Sequence, residues 1–401
     1  MKLLFGLLVA GVCASCGANQ LDSGVVGGTA GGMSTGLGGG IGGSGGGLGG
    51  SGGEYTLTEW QVPFADADTF QIAARSDDIF YVTKNVELHL GRLNVSTGQF
   101  TQWQTPFTST SPGDIAVRPS DGAIFITAAT MGEIGQFDDA TQTLVRWTLP
   151  PDITPAGPWS FAFDAARTHV FFTAGDMNSS YIGRLDTASG ELRTWTFQGA
   201  GASRIVDALD GTVLFASWDG SAPYAIVRLD PLTGVFTTWP LAAQPFYAAA
   251  MDVDGSFFFA QESSDFVGVA RLVPSIGELT QWTTSGTPGD SLAILSGRVF
   301  FAIDGELNLK ALDPTASGAE STIVPVTSPP ISPSSYILSS TRVQLTPETA
   351  PGVTSQRTLQ SQIAGPFETW SVSQVPRMKA TTGGAAYFNE DGYGAIGRLT
   401  R

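Results

Sequence analysis

The sequence has few of the residues on which much protein chemistry depends. Only two cysteines occur, Cys13 and Cys16, so the chain beyond them can form no disulfide and no thiolate metal site. Only two histidines occur, His89 and His169, which leaves few candidates for a general base. Basic residues number 20 against 36 acidic ones, a net charge of -16, so no nucleic acid is expected as a partner. The same charge disfavours electrostatic binding to anionic membranes.

The first residues have the form of an export signal, predicted to cover residues 1–15. Met1-Lys2 precedes a short apolar run at residues 3–12, which is too short to span a bilayer. Ala14-Ser15-Cys16-Gly17 resembles a bacterial lipobox, except that Cys13 stands where Leu or Val is usual. The resemblance implies that Cys16 is acylated and that the protein goes to an outer membrane. Periplasmic location or ordinary secretion is the alternative.

Residues 16–55 combine that cysteine with repeated glycine runs and only scattered apolar residues. Such a composition cannot bury a core, so we predict a flexible tether with a mean reach on the order of 30 Å. Membrane contact is then expected through the lipid anchor only.

One short pattern organises the rest of the chain, residues 56–401. Thr58-Glu59-Trp60-Gln61-Val62-Pro63 is strand-like, with a tryptophan at its centre, and it recurs about every 43 residues. The recurring tryptophans are Trp60, Trp103, Trp147, Trp195, Trp239, Trp282 and Trp370. A large aromatic at one position of every unit is expected to fill the space between neighbouring sheets, rather than to bind a ligand.

Each unit contains three further short apolar stretches with turn residues between them. An Asp-Gly turn follows the first stretch in several units. The third stretch carries a Gly-Arg-Leu pattern such as Gly91-Arg92-Leu93. We interpret the arginine of this pattern as a hydrogen-bond donor between blades. Four strands per unit predict an all-β propeller of four-stranded blades. The count of units, including two decayed ones between residues 323 and 366, gives eight blades. Seven is the alternative if residues 326–366 form an irregular excursion.

The ends of the array predict how the ring closes. The Trp60 stretch has no preceding three strands, and the last three strands, ending at Arg401, have no outer strand. Pairing them removes both exposed sheet edges, so the N-terminal outer strand is predicted to complete the C-terminal blade.

The combined pattern resembles the virginiamycin B lyase (streptogramin lyase) family of β-propellers over essentially all of residues 56–401. The resemblance implies a His directly after the Pro that opens an innermost strand, and acidic residues that hold Mg²⁺. None of the corresponding pairs here contains His: they are Pro112-Gly113, Pro158-Trp159, Ala202-Ser203, Pro245-Phe246, Pro288-Gly289 and Pro376-Arg377. Glu262 and Asp304 are weak candidates for the acidic positions. A carboxylate without its histidine lacks the base for proton abstraction.

A site is expected on the face where first strands begin and second strands end, because function on a repeat scaffold lies in such loops. The candidate binding residues are Trp159, Arg204, Phe246, Tyr247, Glu262, Asp304 and Arg377, with Asp114, Asp176, Asp219 and Asp290 beside them. Aromatic, guanidinium and carboxylate groups around a funnel suit a polar ligand such as a glycan or peptide. A solvated rim without a specific ligand is the competing interpretation.

These patterns favour a surface-tethered, non-enzymatic and monomeric propeller that binds a ligand or protein partner and needs no cofactor. The alternative is a lyase or hydrolase that acts on a cyclic ester with a divalent metal such as Mg²⁺. We assign no catalytic residue.

Overall fold

The computed structural model describes residues 51–401 except 65–67, 84–87, 108–111, 129–131, 154–157, 165–167, 176–179, 198–200, 218–223, 373, 375, 383 and 391–393. The chain divides into two compact units, Met1–Gly46 and Gly47–Arg401, and all described residues belong to the second. These residues form 34 β-strands. Within them there is no helix that could cross a membrane.

Twenty-eight of the strands build seven four-stranded antiparallel blades, which we number 1 to 7 from the innermost strand at Thr69. Blade 1 is β2–β5 (Thr69–Arg75, Asp78–Thr83, His89–Asn94, Gln99–Gln104), and blade 2 is β6–β9 (Pro112–Val117, Ile124–Ala128, Glu133–Asp138, Thr143–Thr148). Blade 3 is β10–β13 (Ser160–Phe163, His169–Gly175, Ser180–Asp186, Glu191–Phe197), and blade 4 is β14–β17 (Ala202–Asp207, Val213–Ser217, Tyr224–Asp230, Val235–Leu241). Blade 5 is β18–β21 (Gln244–Met251, Phe257–Glu262, Val267–Val273, Glu278–Thr283). Blade 6 is β22–β24 (Pro288–Leu295, Arg298–Ile303, Asn308–Leu312) with β31 (Phe367–Ser371), and blade 7 is β32–β34 (Pro376–Thr382, Ala385–Glu390, Ala395–Thr400) with β1 (Ser51–Gln61).

The innermost strands β2, β6, β10, β14, β18, β22 and β32 contact one another in that cyclic order, which makes the blades a closed ring. The predicted closure is confirmed. β1 pairs antiparallel with β34, from Thr56 opposite Thr400 to Gln61 opposite Ala395. The outer strand of blade 7 therefore comes from the beginning of the described chain.

The prediction of eight four-stranded blades is wrong, and residues 319–364 are the reason. This segment leaves blade 6 after β24, runs once around the ring and returns to β31; we call it the belt. Its strands are β25–β30 (Ala319–Thr322, Val326–Thr327, Ser334–Ile337, Ser340–Gln344, Pro347–Pro351, Val353–Ala364).

The belt adds one strand to the outer edge of every blade. β25 pairs with β21, β26 with β17, β27 with β13, β28 with β9 and β29 with β5. The long β30 then pairs with both β1 and β31, so blades 6 and 7 share a nine-stranded sheet. Short apolar runs and prolines in the belt resemble a degenerate blade, which explains the miscount.

The seven tryptophans of the repeated pattern are buried, one in each blade. Trp147 of blade 2 packs with Phe161 and Phe172 of blade 3, and Trp60 of blade 7 packs with Tyr81 and Phe100 of blade 1. The aromatic side chains therefore fill the space between neighbouring sheets, as the pattern predicts.

The Gly-Arg-Leu pattern has a packing explanation within each blade. Gly91, Gly183 and Gly397 lie opposite Tyr81, Phe172 and Phe388, and a Cβ on each glycine would overlap that ring. The arginine that follows stacks on the blade's own tryptophan: the Arg92 guanidinium lies 5.9 Å from the Trp103 ring and that of Arg398 5.2 Å from Trp60. Its predicted role as an inter-blade donor holds for Arg92, which donates to Asp139 of blade 2 at 3.3 Å.

Candidate functional site

Antiparallel blades give the ring two different faces. One face carries the starts of the first strands and the ends of the second strands; we call it the channel mouth. The other carries the turns from first to second and from third to fourth strands; we call it the turn face. The candidate binding residues that the structure describes belong to the channel mouth.

The innermost strands are irregular where they begin. Their pairing with the second strand shifts near the start of β2, β6, β14, β18, β22 and β32. Each innermost strand pairs on one side only, so prolines such as Pro112 and Pro288 are tolerated at the first position. Bulges of this kind redirect side chains and are frequent beside functional sites. Here they occur around the mouth of the channel.

Asp114, in the bulge of β6, ties three blades together. Its buried carboxylate accepts hydrogen bonds from the Phe161 N–H at 3.1 Å, from Ser160 Oγ at 3.3 Å and from Arg204 Nη1 at 3.3 Å. Ser160 Oγ also accepts the N–H of Ile205 at 3.3 Å. The predicted binding residue Arg204 is thus held by Asp114, with about a quarter of its side chain exposed. This network fixes the starts of β6, β10 and β14 relative to one another.

Trp159 stands on the edge of that network with 44 % of its surface exposed. Its backbone N–H donates to Thr173 O at 2.9 Å, which positions it directly before Ser160. Gly113 allows this close packing, because a Cβ there would lie 2.7 Å from Pro158 O and 3.3 Å from Trp159 Cα. An exposed indole whose backbone is held in place in this way can stack on a planar or apolar face of a ligand.

Glu262 and Asp304 lie at the ends of second strands in blades 5 and 6. Glu262 is the last residue of β19 and is half-buried, whereas Asp304 follows β23 and is exposed. The Asp304 N–H donates to Thr287 O at 3.1 Å, and its Oδ1 lies 2.8 Å from where a Cβ on Gly289 would be. Across the described ranges, no three His, Cys, Asp or Glu side chains form a group suited to a metal ion.

The other candidates are placed by their backbones. Phe246 and Tyr247 fall in the bulge of β18 between Pro245 and Ala249, but their side chains lie outside the described part of the structure, as does that of Asp290. Arg377, half-buried, is the second residue of β32 and pairs with Asn389. Asp176, Asp219 and Cys16 lie outside the described residues.

Neither histidine is on an innermost strand. His169 begins β11 on the turn face, where Nδ1 lies 2.6 Å from Asp164 Oδ2. Burial opposes ionisation of Asp164, but its hydrogen bonds from His169 and Thr168 lower the pKa of that carboxyl. His89 begins β4, the third strand of blade 1, and pairs with Gln104.

Three polar residues near the channel were not predicted as site residues. Ser160 bridges Asp114 and β14 as described above, and Thr127 Oγ1 accepts the Asp114 N–H at 2.8 Å. Asn389 is fully buried and its Nδ2 donates to Thr69 O at 2.8 Å, which links blade 7 to blade 1. Thr127 and Asn389 each directly follow the residue that pairs with the glycine of the Gly-Arg-Leu position, Ile126 and Phe388. An alignment of the repeats could have singled them out.

No protein-family model and no curated protein matches this chain. Solved structures do: virginiamycin B lyase from Staphylococcus aureus has 17% sequence identity and a TM-score of 0.61, over 86% of this chain and 99% of that one. A catalytically inactive variant of that enzyme with quinupristin has 17% identity and a TM-score of 0.62 over the same shares. The Dos1 propeller has 10% identity and a TM-score of 0.51, over 86% of this chain and 95% of that one. These likenesses show that the chain has the fold of a β-propeller.

Proposed function

We propose that this protein is a non-enzymatic β-propeller that binds a polar ligand or partner at the channel mouth. The observation that carries the proposal is the exposed Trp159 next to the buried Asp114–Ser160–Arg204 network. A binding site needs a contact surface whose own position is already fixed, because ordering loose side chains reduces affinity. Here the hydrogen bonds of Asp114 supply that rigidity.

The chemistry of the mouth suits a glycan or a peptide. An indole face stacks on a sugar ring or an aromatic side chain, and the exposed part of Arg204 can donate to a hydroxyl or carboxylate. Glu262, Asp304 and Arg377 add charged groups of both signs around the same opening. The ligand would lie across blades 3 and 4 and extend toward blades 5 to 7.

Binding is favoured over catalysis by the positions of the histidines. Elimination or hydrolysis needs a group that takes a proton at the reacting centre. The chain has only two histidines: His169 lies on the turn face, and His89 begins a third strand, so neither belongs to an innermost strand. The innermost strands present Gly113, Ser203 and Gly289 at corresponding positions, and none of these is a base.

The test is a glycan array and a short-peptide library probed with the labelled full-length protein. We expect a class of ligands whose affinity falls at least tenfold in Trp159→Ala and in Arg204→Ala. Leu232→Ala, an exposed aliphatic residue on the turn face, is the matched control and should bind as the wild type does. Ligands that bind all four proteins equally would contradict the proposed location.

The alternative function, a divalent-metal lyase, is tested separately with quinupristin and Mg²⁺. The proposal predicts no turnover by chromatography of the reaction mixture. Turnover by the wild type that is lost in the double variant Glu262→Ala/Asp304→Ala would establish the lyase and overturn the binding proposal.

We further propose that the protein is exported and attached to a bacterial outer membrane by acylation of Cys16. The support is the lipobox-like sequence alone. Cys16→Ser should move the protein from the membrane fraction to the soluble fraction, while Cys13→Ser should leave it in the membrane. Membrane retention of the Cys16 variant at wild-type levels would exclude this anchor.

A further inference from the structure

The turn face carries an apolar patch on blades 4 and 5. Four aliphatic residues stand at turn tips with large exposed fractions: Leu209 at 51%, Leu232 at 89%, Val253 at 92% and Ile276 at 63%. Leu209 and Val253 lie in turns from first to second strands, and Leu232 and Ile276 in turns from third to fourth strands. Both kinds of turn lie on the same face, because first and third strands of a blade run parallel.

The corresponding tips of other blades are polar or small. Among the described residues they are Ser76-Asp77, Ser96-Thr97, Ser120-Asp121, Ala140-Thr141, Ala188-Ser189 and Ser296-Gly297. Among the described turns of this face, the exposed large aliphatic side chains are therefore confined to two adjacent blades. Single exposed aliphatic residues need no explanation, but a cluster at structurally equivalent positions marks an interaction surface.

The backbone conformation of Leu209 indicates that its side chain does not stabilise the fold. Leu209 has a φ of 66°, in the left-handed region that disfavours a bulky side chain. In the equivalent turns of blades 1 and 6, that conformation is taken by Ser76 and Ser296, at 50° and 51°. An exposed leucine in a strained position stabilises neither the turn nor the core, so another role must account for it.

The strands that carry these turns pack on a shared core. Ala208 and Met251, beside the turns of Leu209 and Val253, pack on one core cluster that includes Phe257 and Leu272. Ile323 of the belt joins the same cluster, and its N–H donates to Gly277 O at 2.7 Å. This contact brings the exposed Val324 next to Ile276, so the belt extends the apolar surface at the rim.

The direction of β1 shows on which face of the ring the described chain begins. β34 ends at Thr400 on the turn face, and β1 runs antiparallel to it, so Ser51 also lies on the turn face. The first described residue of the propeller therefore lies on the same face as these four turns. A lipid surface is the partner that this arrangement favours, while the channel mouth points away from it.

We propose that Leu209, Leu232, Val253 and Ile276 form a docking patch for the surface of a lipid bilayer. The orientation argument rests on the proposed acylation of Cys16, and the patch departs from the sequence-based expectation that the anchor makes the only membrane contact. Turn tips of this kind bury their aliphatic side chains among headgroups and upper acyl chains. Asp210, Asp252 and Asp254 flank the tips and the net charge is -16, so the surface suits zwitterionic lipids and not anionic ones.

The test uses the full-length Cys16→Ser protein, which carries no acyl chain, and phosphatidylcholine vesicles. We expect co-sedimentation that falls at least tenfold in the fourfold variant Leu209→Asn/Leu232→Ser/Val253→Ser/Ile276→Ser. The matched control is Leu307→Ser/Val353→Ser, two exposed residues at the channel-mouth ends of blades 6 and 7, and it should bind like its parent. Added phosphatidylserine should weaken binding, and added salt should not.

Two further measurements separate the alternatives. Asn accommodates the left-handed conformation of Leu209, so Leu209→Asn should keep or raise the melting temperature while it lowers vesicle binding; a lower melting temperature would indicate a structural role. Vesicle binding that is absent, or equal in the parent and the fourfold variant, overturns the patch. So does a concentration-dependent dimer that the fourfold variant abolishes, because the face would then be an interface between copies. The anchor is tested separately in the fourfold variant, which lacks the patch: addition of Cys16→Ser should release that variant from cell membranes, and unchanged retention would exclude the anchor.

Discussion

The blades and the belt are both made of β-strands, but they are stabilised differently. A fourth strand such as β13 buries Leu192 and Trp195 between sheets. A belt strand such as β25 has all four residues exposed, although each of them pairs with a residue of β21. The blade strand is therefore held by apolar burial as well as backbone hydrogen bonds, whereas the belt strand depends mainly on the hydrogen bonds. The net contribution of each such bond is only about 0.5–1.5 kcal/mol.

The belt has a few apolar anchors, about one for each blade that it crosses. Ile323, Ile331, Tyr336, Leu345 and Leu359 pack against core clusters of blades 5, 4, 3, 2 and 7 in turn. Of these, Leu345 is the most buried. Only Leu345 and Ser361 of the belt are fully buried, so its sequence has no strand periodicity although it forms six strands.

The return of the belt to blade 6 is marked by a buried carboxylate. Glu368 of β31 accepts hydrogen bonds from Arg298 of β23, from Ser361 of β30 and from Tyr55 of β1, the last at 3.3 Å. Burial, followed by the charge of Glu368, raises the pKa of Tyr55. At this point the core of the ring and the belt share one network.

The largest loss of stability is expected from Trp60→Ala, which removes an aromatic side chain buried between two blades where the ring closes. Trp60 is buried between blades 7 and 1, so the free energy of unfolding should fall by about 3–5 kcal/mol. Denaturant unfolding followed by circular dichroism measures it. The control is Val353→Ala, at the exposed start of β30, which should change stability by less than about 0.5 kcal/mol. Equal effects of the two substitutions would contradict the distinction between blade and belt.

A smaller loss of stability is expected from Glu368→Gln, because this residue hydrogen-bonds both to blade strands and to the belt strand β30. The variant keeps the shape of the side chain but leaves the Arg298 guanidinium without its anionic partner, so we expect about 2 kcal/mol of destabilisation. The double variant Glu368→Gln/Arg298→Met should recover part of it, because no unpaired charge then remains. Full additivity of the two substitutions would show that the pair is not coupled.

The link between blades 1 and 2 should depend on pH. Burial opposes ionisation of Asp139, but its hydrogen bonds and the positive charges of Arg75 and Arg92 lower the pKa of that carboxyl below its ordinary value of 3.8. The resulting stabilisation is present above pH 3.8 and is lost as the pH falls through the folded-state pKa. At neutral pH, Asp139→Asn should cost about 1 kcal/mol, and wild type and variant should converge in acid. A difference that persists unchanged in acid would contradict this assignment.

The belt itself should show the smallest free energies of opening. Amide hydrogen exchange in Val326–Thr327 of β26 should be at least about tenfold faster than in Val213–Ser217 of the same sheet, because the belt can open without exposing the core. The long β30, which pairs with β1 over most of its length, should exchange more slowly than the two-residue β26. Uniform protection across the belt and the blades would mean that they unfold as one unit.

Much of the fold could be predicted because burial leaves a pattern in the sequence. The tryptophans and the Gly-Arg-Leu positions repeat with the blades. Together with the incomplete units at the two ends of the array, they correctly predict a propeller closed by its first strand. The belt could not be separated from a degenerate blade, since Tyr336 and Val343 also occur in short apolar runs. The candidate site was predicted only as a set of residues around one opening. That Asp114, Ser160 and Arg204 form one network depends on bulges in strands of three different blades.

The sequence alone thus determined the repeat, the aromatic core, the ring closure and the scarcity of groups that could act as a base. Each of these follows from residue identity or from the local alternation of buried and exposed positions. Tertiary structure decided the number of blades, the course of the belt, the Asp114 network and the gathering of Leu209, Leu232, Val253 and Ile276 on one face. The physical reason is that belt pairing uses backbone groups that every residue has, while the network and the patch join residues from separate blades. Neither kind of contact leaves a periodic trace along the chain.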